Sequence, residues 1–210
     1  MAVAGGVALI GAVPVRASTV VIGVRHVAET PPGPALTASE TSTLSAVLAQ
    51  LMPSDELGPG AVEAGVPSYI DRALASSYKE LLPVYQQLLP MFNKAATTLG
   101  ASSFADLPAS DQVALLVQFE GGTPPGVPAS RATTAADGFQ LLLAHMREGM
   151  FADPMYGGNR HLAGWTLIGY PGIQLSPSAV NQQIGTVVKP TGETATTLGG
   201  APYNGPYADA

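Results

Sequence analysis

His145 and Glu148 form the most enzyme-like pattern in the chain, because they stand three residues apart at helical spacing and Asp153 follows closely. An imidazole and a carboxylate on one helix face can reach a single metal ion. A carboxylate-bridged di-metal bundle, however, uses Glu-x-x-His motifs on two helices and two further glutamates. This chain offers one pair, in the reversed order. We therefore interpret His145, Arg147 and Glu148 as a solvated helix face, and keep a free-standing metal-dependent helical enzyme as an alternative.

Other catalytic patterns are weaker. Histidines 26, 145 and 161 lie in dissimilar contexts, and no Gly-x-Ser-x-Gly motif accompanies them, so a hydrolase triad is unsupported. The segment Gly157-Gly158-Asn159-Arg160 could form an amide nest for an anion. A phosphate loop would need a preceding strand and fuller glycine spacing. We therefore interpret this segment as a tight turn that uses the access of glycine to positive φ.

Composition excludes several further classes of function. The chain has 210 residues and no cysteine, which suits one domain and excludes disulfides, thiolate zinc sites, cysteine-ligated iron–sulfur clusters and attached c-type haem. Lys and Arg total 9 against 15 Asp and Glu, for a net charge of -6. Nucleic acid requires clustered basic residues, so we expect no such partner.

Helical spacing dominates the middle of the chain. The Thr37-to-Glu40 spacing predicts a capping box and a first helix to about Met52. Pro67 is placed to open a second helix, and Pro83 marks either a kink or a new helix.

Two more helices follow. Leu107-Pro108-Ala109-Ser110-Asp111 resembles another helix start, with Val113, Leu116 and Val117 as its apolar positions. The segment of about Thr133 to Phe151 has the strongest apolar stripe, made by Phe139, Leu142, Leu143, Met146 and Met150. We predict an all-α fold, an irregular helical bundle of about five helices with long Gly/Pro-rich loops and an irregular C-terminal tail.

Residues 1–17 resemble a secretory signal. An apolar run to Val15 is followed by Val15-Arg16-Ala17 before Ser18, which fits a signal-peptidase site. No basic residue precedes the run, so we expect the true start to lie upstream; an apolar start without a targeting role is the alternative. We assign 18–35 to a linker or arm, 36–172 to the helical domain and 173–210 to the irregular tail.

The stretch from Gly149 to Gly172, GMFADPMYGGNRHLAGWTLIGYPG, concentrates aromatic and methionine side chains among glycines. It includes Phe151, Met155, Tyr156, Trp165 and Tyr170. Such side chains either plug the open end of a bundle or present anchors to a partner, because Trp, Tyr and Arg dominate interface hot spots. The residues alone leave that choice even.

This stretch also resembles a known family, the subunit 3 of gluconate 2-dehydrogenase and related flavin-dependent sugar dehydrogenases. The resemblance covers roughly Leu36 to Gly172. Its strongest part is Glu148-Gly149-Met150-Phe151-Ala152-Asp153-Pro154-Met155-Tyr156-Gly157-Gly158-Asn159-Arg160, followed by Gly164-Trp165 and Ile168-Gly169-Tyr170-Pro171-Gly172. The chain departs from the family at His161-Leu162, where the family commonly has Asp-Gly.

The resemblance implies an accessory subunit that is not an enzyme by itself and holds no cofactor or metal. FAD would lie in a large partner subunit of the GMC type, and often a multihaem cytochrome c forms a third subunit. It implies export by the twin-arginine route to the periplasm, where the chain escorts and stabilises the folded flavoprotein and reaches the membrane only through the complex. An unrelated periplasmic scaffold or binding protein is the further alternative.

We expect six residues of the stretch to contact the partner: Met155, Tyr156, Asn159, Arg160, Trp165 and Tyr170. Within this group we expect Trp165, together with Phe151, chiefly to pack the helical domain. Tyr156, Arg160 and Tyr170 would then be available to the partner.

Overall fold

The computed structural model describes residues 33–188 and 190–198, and no strand occurs among them. Six α-helices make up most of the regular structure: α1 Ala38–Leu51, α2 Val66–Ala75, α3 Leu82–Thr98, α4 Ala109–Glu120, α5 Ala132–Phe151 and α6 Ala163–Leu167. Short 3₁₀ turns occupy Lys79–Leu81, Phe104–Asp106, Ala129–Arg131, Pro154–Tyr156 and Arg160–Leu162. The predicted all-α fold is confirmed. The signal-like segment 1–17 and most of the arm 18–35 lie outside the described residues.

Local signals set the helix starts. The capping box is present, since the Thr37 N–H donates to the Glu40 carboxylate at 2.8 Å and the Glu40 N–H donates to the Thr37 hydroxyl at 3.3 Å. Pro67 lies in the first turn of α2, as predicted. Pro83 likewise belongs to the first turn of α3, so it opens a new helix and does not kink an old one.

Helix α5 runs through the centre of the bundle and packs against α2, α3 and α4. Its predicted stripe is confirmed: Phe139, Leu142, Met146 and Met150 are buried, and Leu143 is half-buried. Burial of such a stripe stabilises a helix far more than its intrinsic propensity does.

The predicted apolar positions of α4 are wrong at two places. Val113 and Val117 are exposed, and the buried face carries Gln112, Leu115, Leu116 and Phe119. Phe119 stacks on Phe92 of α3 with ring centroids 3.9 Å apart, which turns this face inward.

Gln112 can be buried on α4 because its amide is hydrogen-bonded. Its Nε2 donates to the carbonyls of Phe104 and Leu107 at 3.0 and 3.1 Å, within the turn that precedes the helix.

Among the described residues, no helix is both long and apolar enough to cross a bilayer.

Candidate functional site

Asn159 organises the stretch that follows α5. It is fully buried, and its N–H donates to the carbonyl of Gly149 at 2.7 Å while its side-chain amide donates to the carbonyl of Ala152 at 2.9 Å. Its Oδ1 accepts from the N–H groups of Gly164 and Trp165 at 2.9 and 3.4 Å. One residue therefore satisfies carbonyls at the end of α5 and amides at the start of α6, groups that a helix leaves without partners.

Trp165 closes the same end of the bundle. Its ring is buried, and its indole N–H donates to the carbonyl of Phe151 at 2.8 Å. Tyr170 packs edge-on against it, with ring centroids 4.8 Å apart. Phe151 packs against the core. Trp165 and Phe151 thus pack the helical domain, as expected.

Glycines let the stretch lie directly on α5. A Cβ at Gly158 would overlap the carbonyl oxygen of Gly149, and a Cβ at Gly164 would overlap that of Met150. Gly157 has φ +91°, with the Arg72 guanidinium packed over it. The segment 157–160 is therefore the tight turn that we predicted.

Arg160 ties the stretch to α2. Its N–H donates to the carbonyl of Ala64 at 3.0 Å, and its guanidinium donates to the Ser68 hydroxyl at 3.3 Å. Its side chain packs on Gly65, whose φ of +80° a side-chain-bearing residue rarely adopts. The half-buried Arg160 therefore holds the turn in place. Because three amides of the segment 157–160, those of Gly157, Asn159 and Arg160, donate to backbone carbonyls, an anion nest is not formed.

The six candidate contact residues divide into three groups by exposure. Tyr156 and Tyr170 face outward, with 54 % and 41 % of their surface exposed. Met155 and Arg160 are half-buried, whereas Asn159 and Trp165 are buried inside this chain and position the stretch.

His145 corrects the solvated-face interpretation. It is buried, its ring stacks on Tyr78 with ring centroids 4.8 Å apart, and its Nδ1 shares a hydrogen bond of 2.8 Å with the hydroxyl of Tyr85, whose ring is nearly parallel at 5.8 Å. Burial lowers the pKa of His145, and the charge of Glu148 opposes that shift. Arg147 is exposed, as predicted.

Glu148 is also withdrawn from solvent. Its Oε2 accepts hydrogen bonds from the hydroxyls of Tyr69 at 2.9 Å and Tyr78 at 3.2 Å. Burial and the Glu148 carboxylate both raise the pKa of each tyrosine, so both hydroxyls stay protonated and donating. The sequence offered no signal for this cluster, because the tyrosines come from α2 and from the segment before α3.

The proposed metal trio does not assemble. Asp153 caps the turn Pro154–Tyr156 by accepting from the Met155 N–H at 3.0 Å, and it accepts from the Ala195 N–H of the tail at 2.7 Å. Within 33–188 and 190–198, no three His, Asp or Glu residues are placed to hold one ion. The metal-dependent alternative thus gains no support from the described part of the chain.

A cavity of about 350 Å³ opens beside Tyr156. Its walls are tyrosine rings and small side chains, and Glu148 and Arg72 supply its charged groups; the other lining residues are Tyr69, Ala73, Ser76, Ser77, Tyr78 and Ala152. Such a surface suits an inserted side chain that has an apolar body and a hydrogen-bonding end.

The model of the family Gluconate 2-dehydrogenase subunit 3 matches residues 38–172. The chain belongs to this family. The matched residues include all six described helices and the whole of residues 152–172, here named the cap on α5, and end where the irregular tail begins. Searches of curated proteins and of solved structures give no significant match.

The departure from the family pattern falls on strained backbone. His161 and Leu162 have φ of +55° and +59°, and each carries a side chain. The Asp-Gly expected from the subunit 3 resemblance would suit this conformation, which asparagine, aspartate and glycine tolerate best. The backbone strain at His161 and Leu162 is therefore a property of this chain. The hydrogen bonds of the neighbouring Asn159 and Arg160 hold the turn in place.

His161→Asn is expected to stabilise the protein by about 0.5 kcal/mol, because asparagine enters the left-handed region more readily. His161→Val should destabilise it by about 1–2 kcal/mol, although the position is exposed, because a branched Cβ resists positive φ. Denaturant unfolding measures both. Ala144→Val, at an exposed site within α5, is the control and should cost under about 1 kcal/mol. Equal effects of valine at 161 and 144 would contradict the strain.

The free energy of unfolding should depend on pH through His145. Its folded pKa lies below its ordinary value of 6.5, so the unfolded chain takes up the proton first as pH falls. The contribution of His145 to the free energy of unfolding is therefore complete above pH 6.5 and is lost as the pH falls through the folded pKa. When the free energies of unfolding of the wild type and of His145→Gln are measured with denaturant and plotted against pH, the two curves should converge on acidification from neutral pH. Parallel curves would contradict the prediction.

Proposed function

We propose that this chain is the non-catalytic small subunit of a periplasmic FAD-dependent sugar or sugar-acid dehydrogenase complex. It binds the large flavoprotein subunit through the exposed face of the cap on α5. The observation that carries this proposal is the family match over 38–172, which includes the whole cap.

The geometry of the cap supports its use as a docking face. Tyr156 and Tyr170 are exposed on a segment that Asn159 and Trp165 fasten to the end of α5. Tyrosine brings a large contact area with few rotatable bonds, and a preordered segment loses little entropy on binding. The cavity beside Tyr156 adds a recess for a partner side chain.

An escort role follows from mass action. A chain that binds only the folded partner stabilises it against unfolding. The stabilisation grows with the logarithm of the ratio between the free concentration of the chain and its Kd for the partner. A flavoprotein that folds around FAD before export needs a route for folded cargo, and we propose that this subunit supplies the twin-arginine signal. A third subunit, a multihaem cytochrome c, would then take the electrons from the flavin of the large subunit.

The test is expression of the flavoprotein subunit with and without this chain, followed by measurement of flavin content and dehydrogenase activity in the periplasmic fraction. Both should fall by about tenfold or more without the chain. A flavoprotein that reaches the periplasm alone, fully loaded and active, would contradict the escort role.

The docking face has its own test. Replacing Tyr156 and Tyr170 together by alanine should raise the Kd for the flavoprotein subunit by about tenfold or more. The matched control replaces Val113 and Val117, which are exposed on α4, and should change the Kd by less than about twofold. Equal effects of the two pairs would place the docking face elsewhere.

A further inference from the structure

The tail leaves the bundle after Gly172 and returns to it, so that residues 174–188, here named the apolar loop, project from a closed base. At that base the Ile173 N–H donates to the carbonyl of Glu193 at 2.9 Å. The N–H and hydroxyl of Thr191 donate to the carbonyl of Pro171 at 2.8 and 3.0 Å. Gly172 has φ +91° where the two segments cross. The base is therefore fixed although the loop has no regular structure.

A second attachment ties the base to the cap on α5. The Ala195 N–H donates to Asp153 at 2.7 Å, and Asp153 also caps the turn that bears Tyr156. Thr194, beside it, is buried. Leu162, Trp165 and other residues of the cap share a small recess with the tail. The apolar loop therefore stands on the same rigid segment as the proposed docking face.

The loop exposes its aliphatic side chains. Leu175, Val180, Ile184 and Val187 are 76 %, 60 %, 107 % and 93 % exposed. Residues 174–188 read QLSPSAVNQQIGTVV and contain no charged residue or histidine. Single exposed aliphatic residues are ordinary on a protein surface, whereas a contiguous exposed apolar patch marks an interaction site. These four residues fall within thirteen positions of the chain.

We infer that the apolar loop is a docking arm that packs its aliphatic side chains onto an uncharged surface of the flavoprotein subunit. This inference rests on the proposed function and adds a second contact region beside Tyr170. Interface cores are depleted of charged residues, and residues 174–188 contain none. The family belongs to a multi-subunit dehydrogenase, which supplies the partner.

Two other occupants fit less well. An anionic membrane surface attracts segments rich in Lys and Arg, and residues 174–188 have none. A second copy of this chain would carry the same net charge of -6, so the two copies would repel each other. Ile168, in the turn after α6, is also exposed and lies two residues before Tyr170 in the sequence.

The test replaces Val180, Ile184 and Val187 by serine in the full chain and measures the Kd for the purified flavoprotein subunit. The matched control replaces Leu57, Val113 and Val117, which are exposed aliphatic residues elsewhere. We expect the loop variant to raise the Kd by about tenfold or more and the control to change it by less than about twofold. Circular dichroism and Trp165 fluorescence should stay unchanged, because the loop lies outside the core. Ile184→Asp, a single change at a fully exposed site, provides a second loop variant and should also raise the Kd.

Each other result has a defined meaning. If the wild type binds the flavoprotein and the loop variants bind equally well, the inference is overturned and the proposed function stands. If the wild type does not bind, both fall. A loop-dependent dimer in sedimentation, or loop-dependent binding to phosphatidylcholine vesicles, with flavoprotein affinity unaltered, would assign the arm to another occupant and overturn the inference.

Discussion

Gly164→Ala is expected to destabilise the protein by about 3 kcal/mol or more. A Cβ at this position would overlap the backbone carbonyl of Met150 and would lie 2.9 Å from Cδ1 of Phe151. A backbone oxygen in the last turn of a buried helix cannot move aside without breaking that turn. The added methyl group must therefore separate α6 from α5 and remove the Trp165 plug.

Denaturant unfolding measures this effect, and Gly121→Ala is the matched control. Gly121 ends α4 with φ -75°, and a Cβ there would meet its nearest neighbour, the carbonyl oxygen of Val117, at an ordinary 3.5 Å. Alanine at 121 should change the stability by less than about 1 kcal/mol. Similar losses of stability in Gly164→Ala and Gly121→Ala would show that α6 leaves room for a side chain against α5.

Asn159→Ala is expected to cost about 3–4 kcal/mol, because it leaves the half-buried carbonyl of Ala152 and the buried N–H of Gly164 without partners. Alanine also tolerates the φ of +47° at this position less well than asparagine does. Asn159→Asp should be destabilising as well, because an acceptor would then face the carbonyl of Ala152 in a buried site.

Trp165 makes this prediction easy to locate, because it is the only tryptophan of the chain. Its emission reports the cap, while far-ultraviolet circular dichroism reports the helices. In Asn159→Ala the Trp165 emission should shift to longer wavelength, and the cap should unfold at lower denaturant concentration. Asn181→Ala, at an exposed site in the apolar loop, is the control and should leave both signals unchanged. An unshifted emission in Asn159→Ala would contradict the capping role.

Helix positions were predictable from the sequence because their signals are local. The capping box of Thr37 and Glu40 and the prolines at 67 and 83 act within one turn of the helices that they begin. The buried face of α4 was not predictable, because its apolar residues surround the helix. Phe119 settles the choice by stacking on Phe92, a tertiary contact.

Some features of the site were likewise predictable from the sequence, and others were not. The aromatic content of 149–172 left open whether the stretch plugs the bundle or presents anchors to a partner; in the structure Trp165 is buried and Tyr156 is exposed. The packing of His145 against Tyr78 and Tyr85 was not predictable, because these tyrosines lie some sixty residues away in sequence. The spacing of His145 and Glu148 suggested a metal pair, whereas three-dimensional packing gives each a tyrosine partner.

Affinity purification of the native protein tests the central claim most directly. We expect a second, larger chain to be recovered in near-equal amount and to carry the yellow colour of oxidised flavin. Replacing Tyr156 and Tyr170 by alanine should reduce its recovery. A colourless, solitary chain that stays monomeric, or one that purifies with a bound metal and its own activity, would show that the protein is not a subunit of a flavoprotein complex.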